Sequence, residues 1–177
     1  MDHFHNAMSI LLDQQSLNQA TSFGVLTEIL EGKLNESQIG AVLALLAMHD
    51  PTSDELTGAA RAMRQQVTEV SYQQQPGSIL LDTCGTGGAP KTFNVSTAAA
   101  IILSAVQPPL NCKIQRIQVA KHGNRSRTGR GSAEVLMALG VHVDASTETQ
   151  AKCLADAGVC FCFAVNHHPA VKHAMPT

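Results

Sequence analysis

The sequence has no tryptophan and a single tyrosine, Tyr72, and aromatic residues are only 3% of its 177 positions. That scarcity argues against a platform of stacked rings for single-stranded nucleic acid. Charge is also sparse. Twelve Lys and Arg against 14 Asp and Glu, 15% in all, leave a formal net charge of −2, so no overall basic footprint for a polyanion exists. Long apolar runs are missing as well: the most apolar stretch, residues 98–106, is too short to cross a bilayer. The opening MDHFHNAMSI places acid and histidine where a signal peptide carries Lys or Arg. Cys84, Cys112, Cys153, Cys160 and Cys162 are an odd number in a chain that needs no staples. They read as reduced, mostly buried thiols in a cytoplasm. What is plentiful is apolar side chain, 44% of the total, enough to bury a core.

The small net charge hides an asymmetry. Residues 1–82 hold ten acids and three bases, Lys33, Arg61 and Arg64. From Thr83 to Ala133 there is no Asp or Glu, yet Lys91, Lys113, Arg116, Lys121, Arg125, Arg127 and Arg130 all fall there. A charge run is ordinarily a solvated face. These bases, however, sit among glycines and hydroxyls, the composition of a phosphate site.

The first seventy residues carry helical periodicity. Leu11, Leu12, Val25, Leu26, Ile29 and Leu30 recur at helical spacing, and Gly32 is a natural helix end. Asn35 with Gln38, and Thr52 with Glu55, have the spacing of capping boxes. Leu56, Ala59, Ala60 and Met63 form the expected inward stripe of the last helix. Short amphipathic helices with brief loops pack as a small bundle. Gln73 to Gly77 reads as a linker. Beyond it, strands are expected at 78–82, 117–120, 141–143 and 159–164, with helices opening near Asn94 or Ser96 and spanning 132–139 and 147–157. Such alternation implies parallel strands with helices on the faces, and ligands at the strands' carboxyl ends. The fold class is α/β, with a helical domain over 1–76 and a parallel-sheet domain over 77–177.

Two glycine-rich segments follow the first two strands. Gly85-Thr86-Gly87-Gly88-Ala89-Pro90-Lys91-Thr92 is neither a Walker A loop nor a dinucleotide fingerprint, because Pro90 stands where each requires its next glycine. Small residues still let backbone amides approach an anion, and the helix behind adds a favourable dipole. Lys121-His122-Gly123-Asn124-Arg125-Ser126-Arg127-Thr128-Gly129-Arg130-Gly131-Ser132 repeats the arrangement with four cations. Two such loops at one sheet edge suit a ligand with two separated phosphate groups.

With both loops in view, the chain resembles the anthranilate phosphoribosyltransferases, which join anthranilate to phosphoribosyl pyrophosphate (PRPP) in tryptophan synthesis. Gly85 to Gly88, Thr92, Asn94, Ser96 and Thr97 match that family's Gly-Thr-Gly-Gly loop and Thr-x-Asn-x-Ser-Thr run. Lys121 to Arg125 match its Lys-His-Gly-Asn-Arg, and Asn166 to His173 its Asn-x-His-Pro stretch. The resemblance implies a helical domain joined to an α/β domain of the nucleoside phosphorylase/phosphoribosyltransferase type, and a homodimer through the helices. It implies PRPP contacts from Gly85, Thr86, Gly87, Gly88, Thr92, Asn94, Val95, Ser96, Thr97, Lys121, Arg125 and Ser132. Anthranilate would meet Gly85, His122 and Asn124, and Mg²⁺ would sit on Ser96. Pyrophosphate would leave as the anthranilate amine attacks the ribose C1, stabilised by magnesium and fixed cations.

Three departures accompany the match. Ala89 stands where the family has Asp, with the loop one residue short before Thr92 and Lys91 added. The family's Ser-Ser after Lys-His-Gly-Asn-Arg is missing. The sequence also stops at Thr177, about halfway through a usual member, so weak or absent activity is expected of this chain alone. Rival readings are a non-catalytic homologue that binds phosphate ligands or dimerises, a nucleoside phosphorylase of the same fold and, more distantly, a Walker-type nucleotidase. Cys160-x-Cys162 with His167, His168 and His173 reads as a buried strand and its flank rather than zinc spacing. Cys84 reads as a packing residue, and His3, His5 and His49 carry no argument.

Overall fold

The computed structural model describes residues 2–85, 93–126 and 129–174. They form two compact units. One comprises residues 2–68 with 168–174, the other 69–167. The first unit therefore draws on both ends of the chain, whereas the sequence division placed all of 77–177 in the second.

In the first unit the helices are α1 (His3–Leu12), α2 (Gln19–Leu30), α3 (Glu36–Leu46) and α4 (Ser53–Gln65). Each begins at a residue whose side chain accepts the backbone N–H three positions on: Asp2, Asn18, Asn35 and Thr52. The two expected capping boxes form in full. Gly32 ends α2 with φ +69, its N–H donating to the Ile29 carbonyl while Lys33 N–H reaches Glu28, a Schellman closure. Ala7, Leu11, Leu17, Val25, Ile29, Ile39 and Val42 make the core, with Ala174 against it.

The inward face of α4 differs from the expected stripe. Glu55, Gly58 and Ala62 are buried, while Leu56 and Ala60 are exposed. Close approach to α2 causes the shift. A Cβ on Gly58 would lie 2.5 Å from the Gln19 carbonyl oxygen and 2.8 Å from the Phe23 nitrogen. Only glycine fits there without a shift of the α2 backbone. Gly58→Ala is accordingly expected to cost about 1–3 kcal/mol by overpacking, read as a lower urea midpoint with an unchanged slope.

The second unit carries a three-stranded parallel sheet, β1 (Ser78–Leu81), β2 (Arg116–Gly123) and β3 (Val159–Phe163), in the order β1-β2-β3. α5 (Val95–Ala105) connects β1 to β2, and α6 (Ser132–Ala138) with α7 (Thr147–Asp156) connect β2 to β3. α8 (Ala164–His167) follows, and a 3-10 turn, Pro169–His173, belongs to the first unit. Register pairs Ser78 with Arg116 and Gly123 with Phe163, which brings the residues after β1 and β2 to one edge.

The strand expected at 141–143 does not form. Gly140 takes φ +83, its N–H donates to the Met137 carbonyl, and Val141 N–H donates to Leu136. The short apolar run is thus a Schellman cap on α6. Val143 then drops into a core of Ala133, Leu136, Phe161 and Phe163. Arg116 does not join the edge expected to bind phosphate either. It lies at the amino end of β2, where its guanidinium donates to the carbonyls of Ala155 and Asp156 at the end of α7 (2.7 and 3.1 Å). The thiols are less buried than expected: Cys84 and Cys112 are exposed, Cys153 and Cys162 half-buried, and Cys160 alone buried. No helix among the described residues is long and apolar enough to cross a membrane.

Candidate functional site

The edge where β1 and β2 end is organised by the residue directly after β1. Asp82 Oδ1 accepts the backbone N–H of Cys84 at 2.9 Å and that of His122 at 3.2 Å. One carboxylate oxygen thus ties the start of the first glycine loop to the end of β2, across 40 positions of sequence. Burial opposes ionisation of Asp82, but these hydrogen bonds and one from the Cys84 thiol outweigh it and hold its pKa below the ordinary value. In return the Asp82 hydrogen bond raises the Cys84 thiol. That makes Cys84 a poor nucleophile, and an exposed one rather than the packing residue expected.

Loss of this acceptor has a defined expectation. Asp82→Ala should accelerate amide exchange at Cys84 and His122 by roughly 10- to 100-fold, as local opening becomes easier by about 1.5–3 kcal/mol. Asp82→Asn keeps an acceptor oxygen and should recover most of the protection, measured by hydrogen exchange on the labelled protein.

Lys121 is the centre of the site. It is 3% exposed, and its ammonium donates to Ser96 Oγ at 3.1 Å and to the His122 carbonyl at 3.3 Å. Ser96 stands in the first turn of α5, and its own carbonyl accepts from Thr83 Oγ1 at 2.8 Å. A cation and a hydroxyl from two different elements therefore meet beside a helix N-terminus. Asn94 caps α5 without a side-chain bond to the helix. Instead its amide reaches across to the Arg130 carbonyl at 3.2 Å and joins the two loops.

The second loop is held from α6. Glu134 Oε1 accepts from Ser126 N, and Arg130 N donates to Ser126 Oγ. Asn124 Oδ1 accepts from Arg125 N, while the Arg125 guanidinium lies 5.7 Å from the centre of the Phe163 ring. Gly123 must lack a side chain, since a Cβ there would meet the Phe161 ring at 2.6 Å and Ser132 Cβ at 3.1 Å. Ser132 is thereby packed against the end of β2. Between the openings of α5 and α6 lies a cavity of about 330 Å³ lined by Phe93, Asn94, Gly129, Arg130, Glu134, Val135 and Ala138.

The structure thus joins Ser96 to Lys121 and Asn94 to the second loop, and sets Ser132 and His122 at the same strand end. Burial holds the His122 pKa below its ordinary value, though the charge of Asp82 pulls it upward. Gly85, Asn124 and Arg125 are exposed at the edge, and Val95 is exposed on α5. Thr97 points inward, with its Oγ1 buried and without a hydrogen bond among the described residues. Thr86, Gly87, Gly88 and Thr92 lie outside the described residues. Sequence reasoning passed over Asp82, Thr83 and Glu134. An acid closing a buried strand directly before a glycine-rich turn was the available signal.

No group of three His, Cys, Asp or Glu among the described residues could hold a metal. His167 Nε2 pairs instead with Gln150 Oε1 at 2.8 Å, His173 lies against Gly32, and the Cys160 and Cys162 sulfurs stand 3.8 Å apart on β3. The oxygen that Ser96 offers suits a hard cation delivered with a phosphate ligand, not one caged by protein alone.

A helical unit beside an α/β unit with a parallel sheet corresponds to the two domains of a glycosyl transferase. The chain belongs to the glycosyl transferase family: the family's helical bundle domain matches residues 6–67 and its a/b domain residues 77–177. Among curated relatives, it is 43% identical over 168 residues to an anthranilate phosphoribosyltransferase of Anaeromyxobacter sp. (strain K), covering 94% of this chain and 46% of that protein. The corresponding protein of Rhodopirellula baltica is 38% identical over 174 residues, covering 97% and 47%. The chain spans about half the length of the curated relatives it matches. Among solved structures, the anthranilate phosphoribosyltransferase of Thermus thermophilus superposes with a TM-score of 0.75 at 28% identity, over 98% of this chain and 48% of that one. The Saccharomyces cerevisiae enzyme in complex with PRPP and Mg gives 0.78 at 23% identity, over 98% and 52%, a likeness of fold.

Proposed function

We propose that this chain carries the PRPP-binding part of an anthranilate phosphoribosyltransferase. The observation that carries the reading is the buried Lys121 ammonium against Ser96 Oγ at the end of β2, flanked by Asn94 and the second glycine loop. Gly85, Thr86, Gly87, Gly88, Thr92, Asn94, Val95, Ser96, Thr97, Lys121, Arg125 and Ser132 are the proposed PRPP residues. His122 and Asn124, with Gly85, are proposed to receive anthranilate, and a neutral His122 suits the face of an aromatic amine.

The reaction is displacement at the ribose C1. The anthranilate nitrogen forms the new bond, the C1–oxygen bond breaks, pyrophosphate leaves with the electron pair, and the amine proton passes to solvent. Lys121 and Arg125 hold phosphate oxygens and offset the charge that develops on the leaving group. Ser96 Oγ would supply one ligand to Mg²⁺, whose charge would further offset that of the leaving group. A homodimer through the helical unit is proposed as well, supported by the exposed Leu12, Leu43, Met48 and Leu56. The cytoplasm, where thiols stay reduced, is the proposed location.

Two measurements test the reading. Calorimetric titration with PRPP and Mg²⁺ should show saturable binding. Loss of anthranilate fluorescence should require anthranilate, PRPP and Mg²⁺ together. Absence of PRPP binding would sink the proposal, whereas binding without fluorescence loss would leave a ligand-binding protein of the same family.

A further inference from the structure

The helical unit is rich in acids, and its few cations are not spread evenly over it. Of the three Lys and Arg among residues 1–82, Lys33 pairs with Glu31, which leaves Arg61 and Arg64. These two lie one turn apart on α4, and both are exposed. No Asp or Glu stands within four positions of either, so no acid of α4 reaches them along the helix. Among the described residues neither guanidinium has an ion pair or a hydrogen bond. Gly58 lets α2 and α4 meet at Gln19, Ser22 and Phe23. One turn further along α4, Arg61, Arg64 and Gln65 line a cavity of about 560 Å³ together with the half-buried Phe23. That volume falls in the range of small-ligand sites. Arg64 suits the end of α4, where a cation meets the helix dipole. Arg61 stands a turn earlier and has no such role, and two like charges at this spacing repel each other.

We propose that this groove binds a phosphate monoester that carries an aromatic ring, the chemical class to which nucleoside monophosphates belong. Three features of the lining select that chemistry. Two guanidinium groups with no acid beside them call for two negative charges. A phosphate monoester supplies close to two at neutral pH, where a carboxylate supplies one. The planar N–H forks of arginine also match phosphate oxygens in pairs. The Phe23 ring offers apolar surface to an aromatic group, and the Gln65 amide adds both a donor and an acceptor. The residues proposed above for PRPP belong to the other unit, so this site is a second one and does not rest on that reading.

The test is titration of the isotope-labelled full chain with phenyl phosphate at about pH 7.5, where the second phosphate proton is lost. Amide shifts at Phe23, Arg61, Arg64 and Gln65 should saturate below about 1 mM, and they report this groove separately from any change at Ser96 or Lys121. Arg61→Gln and Arg64→Gln should each weaken binding at least about 10-fold. Phe23→Leu should reduce phenyl phosphate to the affinity of inorganic phosphate. Both arginines are exposed, so their variants should fold, which thermal melts check. No saturation below about 10 mM, or binding that neither arginine variant weakens, overturns the proposal. Equal affinity of the unaltered chain for inorganic phosphate or for benzoate overturns the assigned ligand class. Calorimetric affinity for PRPP with Mg²⁺ should be the same in Arg61→Gln as in the unaltered chain. A matching loss there would make the two sites one and overturn the proposal, whereas failure of PRPP to bind at all would leave this groove standing.

Discussion

Lys121→Met is expected to weaken PRPP binding by roughly 100-fold, the loss of about 3 kcal/mol carried by a buried charge-assisted contact. The side chain is 3% exposed, and its contacts at Ser96 Oγ and the His122 carbonyl are neutral oxygens. An ammonium withdrawn from water gains from an anion delivered beside it, which is the basis of the expected loss of affinity. Methionine keeps the length and apolar stem. The melting temperature of the free protein should therefore move little while affinity collapses. Affinity unchanged within a factor of about 3, well under 1 kcal/mol, would remove Lys121 from the site. A matching fall in stability would recast it as a structural residue.

Glu55→Ala is expected to destabilise the helical unit by about 3 kcal/mol, among the larger effects that a single substitution produces. The carboxylate is 4% exposed and ties the first turn of α4 to the loop before α2 and to the loop before α4. Oε1 accepts from Leu17 N and pairs with His49 Nε2, both at 3.0 Å, and Oε2 accepts from Thr52 N and Thr52 Oγ1. Burial alone would raise its pKa, but these four partners outweigh burial and bring it down to about 2. Because the folded pKa lies below the ordinary 4.5, the contribution is complete above about pH 4.5. It is lost as pH falls through about 2. Thermal melts of the wild type between pH 6 and pH 2 should show this loss, and Glu55→Gln should flatten it. Equal acid sensitivity in the two proteins would assign the effect to other carboxylates.

Glu55 also shows where sequence reasoning stops. Its capping box with Thr52 was readable because both partners lie within one turn. Its bonds to Leu17, 38 positions away, and to His49, which carried no argument in the sequence, appear only when α4 meets its neighbours. The same close packing, set by Gly58 against α2, turns the helix so that Leu56 faces outward. At the 141–143 run a local signal was ambiguous. Three residues of Val-His-Val suit a strand, yet Gly140 at positive φ spends them on capping α6.

Arg116 and Asp82 make the related point for the site. Counting bases placed Arg116 with the phosphate cations, but its position at the amino end of a parallel strand sends it to the carboxyl terminus of α7. Asp82 drew no notice, since its partner His122 is remote in the chain.

The sequence by itself determined the two-part architecture, the helix caps, the parallel order of strand and helix, and the placement at one edge of the strand ends that precede both glycine-rich segments. These follow from periodicity and from contacts within three or four residues, which a chain expresses wherever it folds. Only the tertiary structure decided which face of α4 is inward, which cations reach the edge, and that Asp82 fastens the loops. Each of those depends on partners tens of residues apart, whose meeting is set by packing and by the need to satisfy buried polar groups.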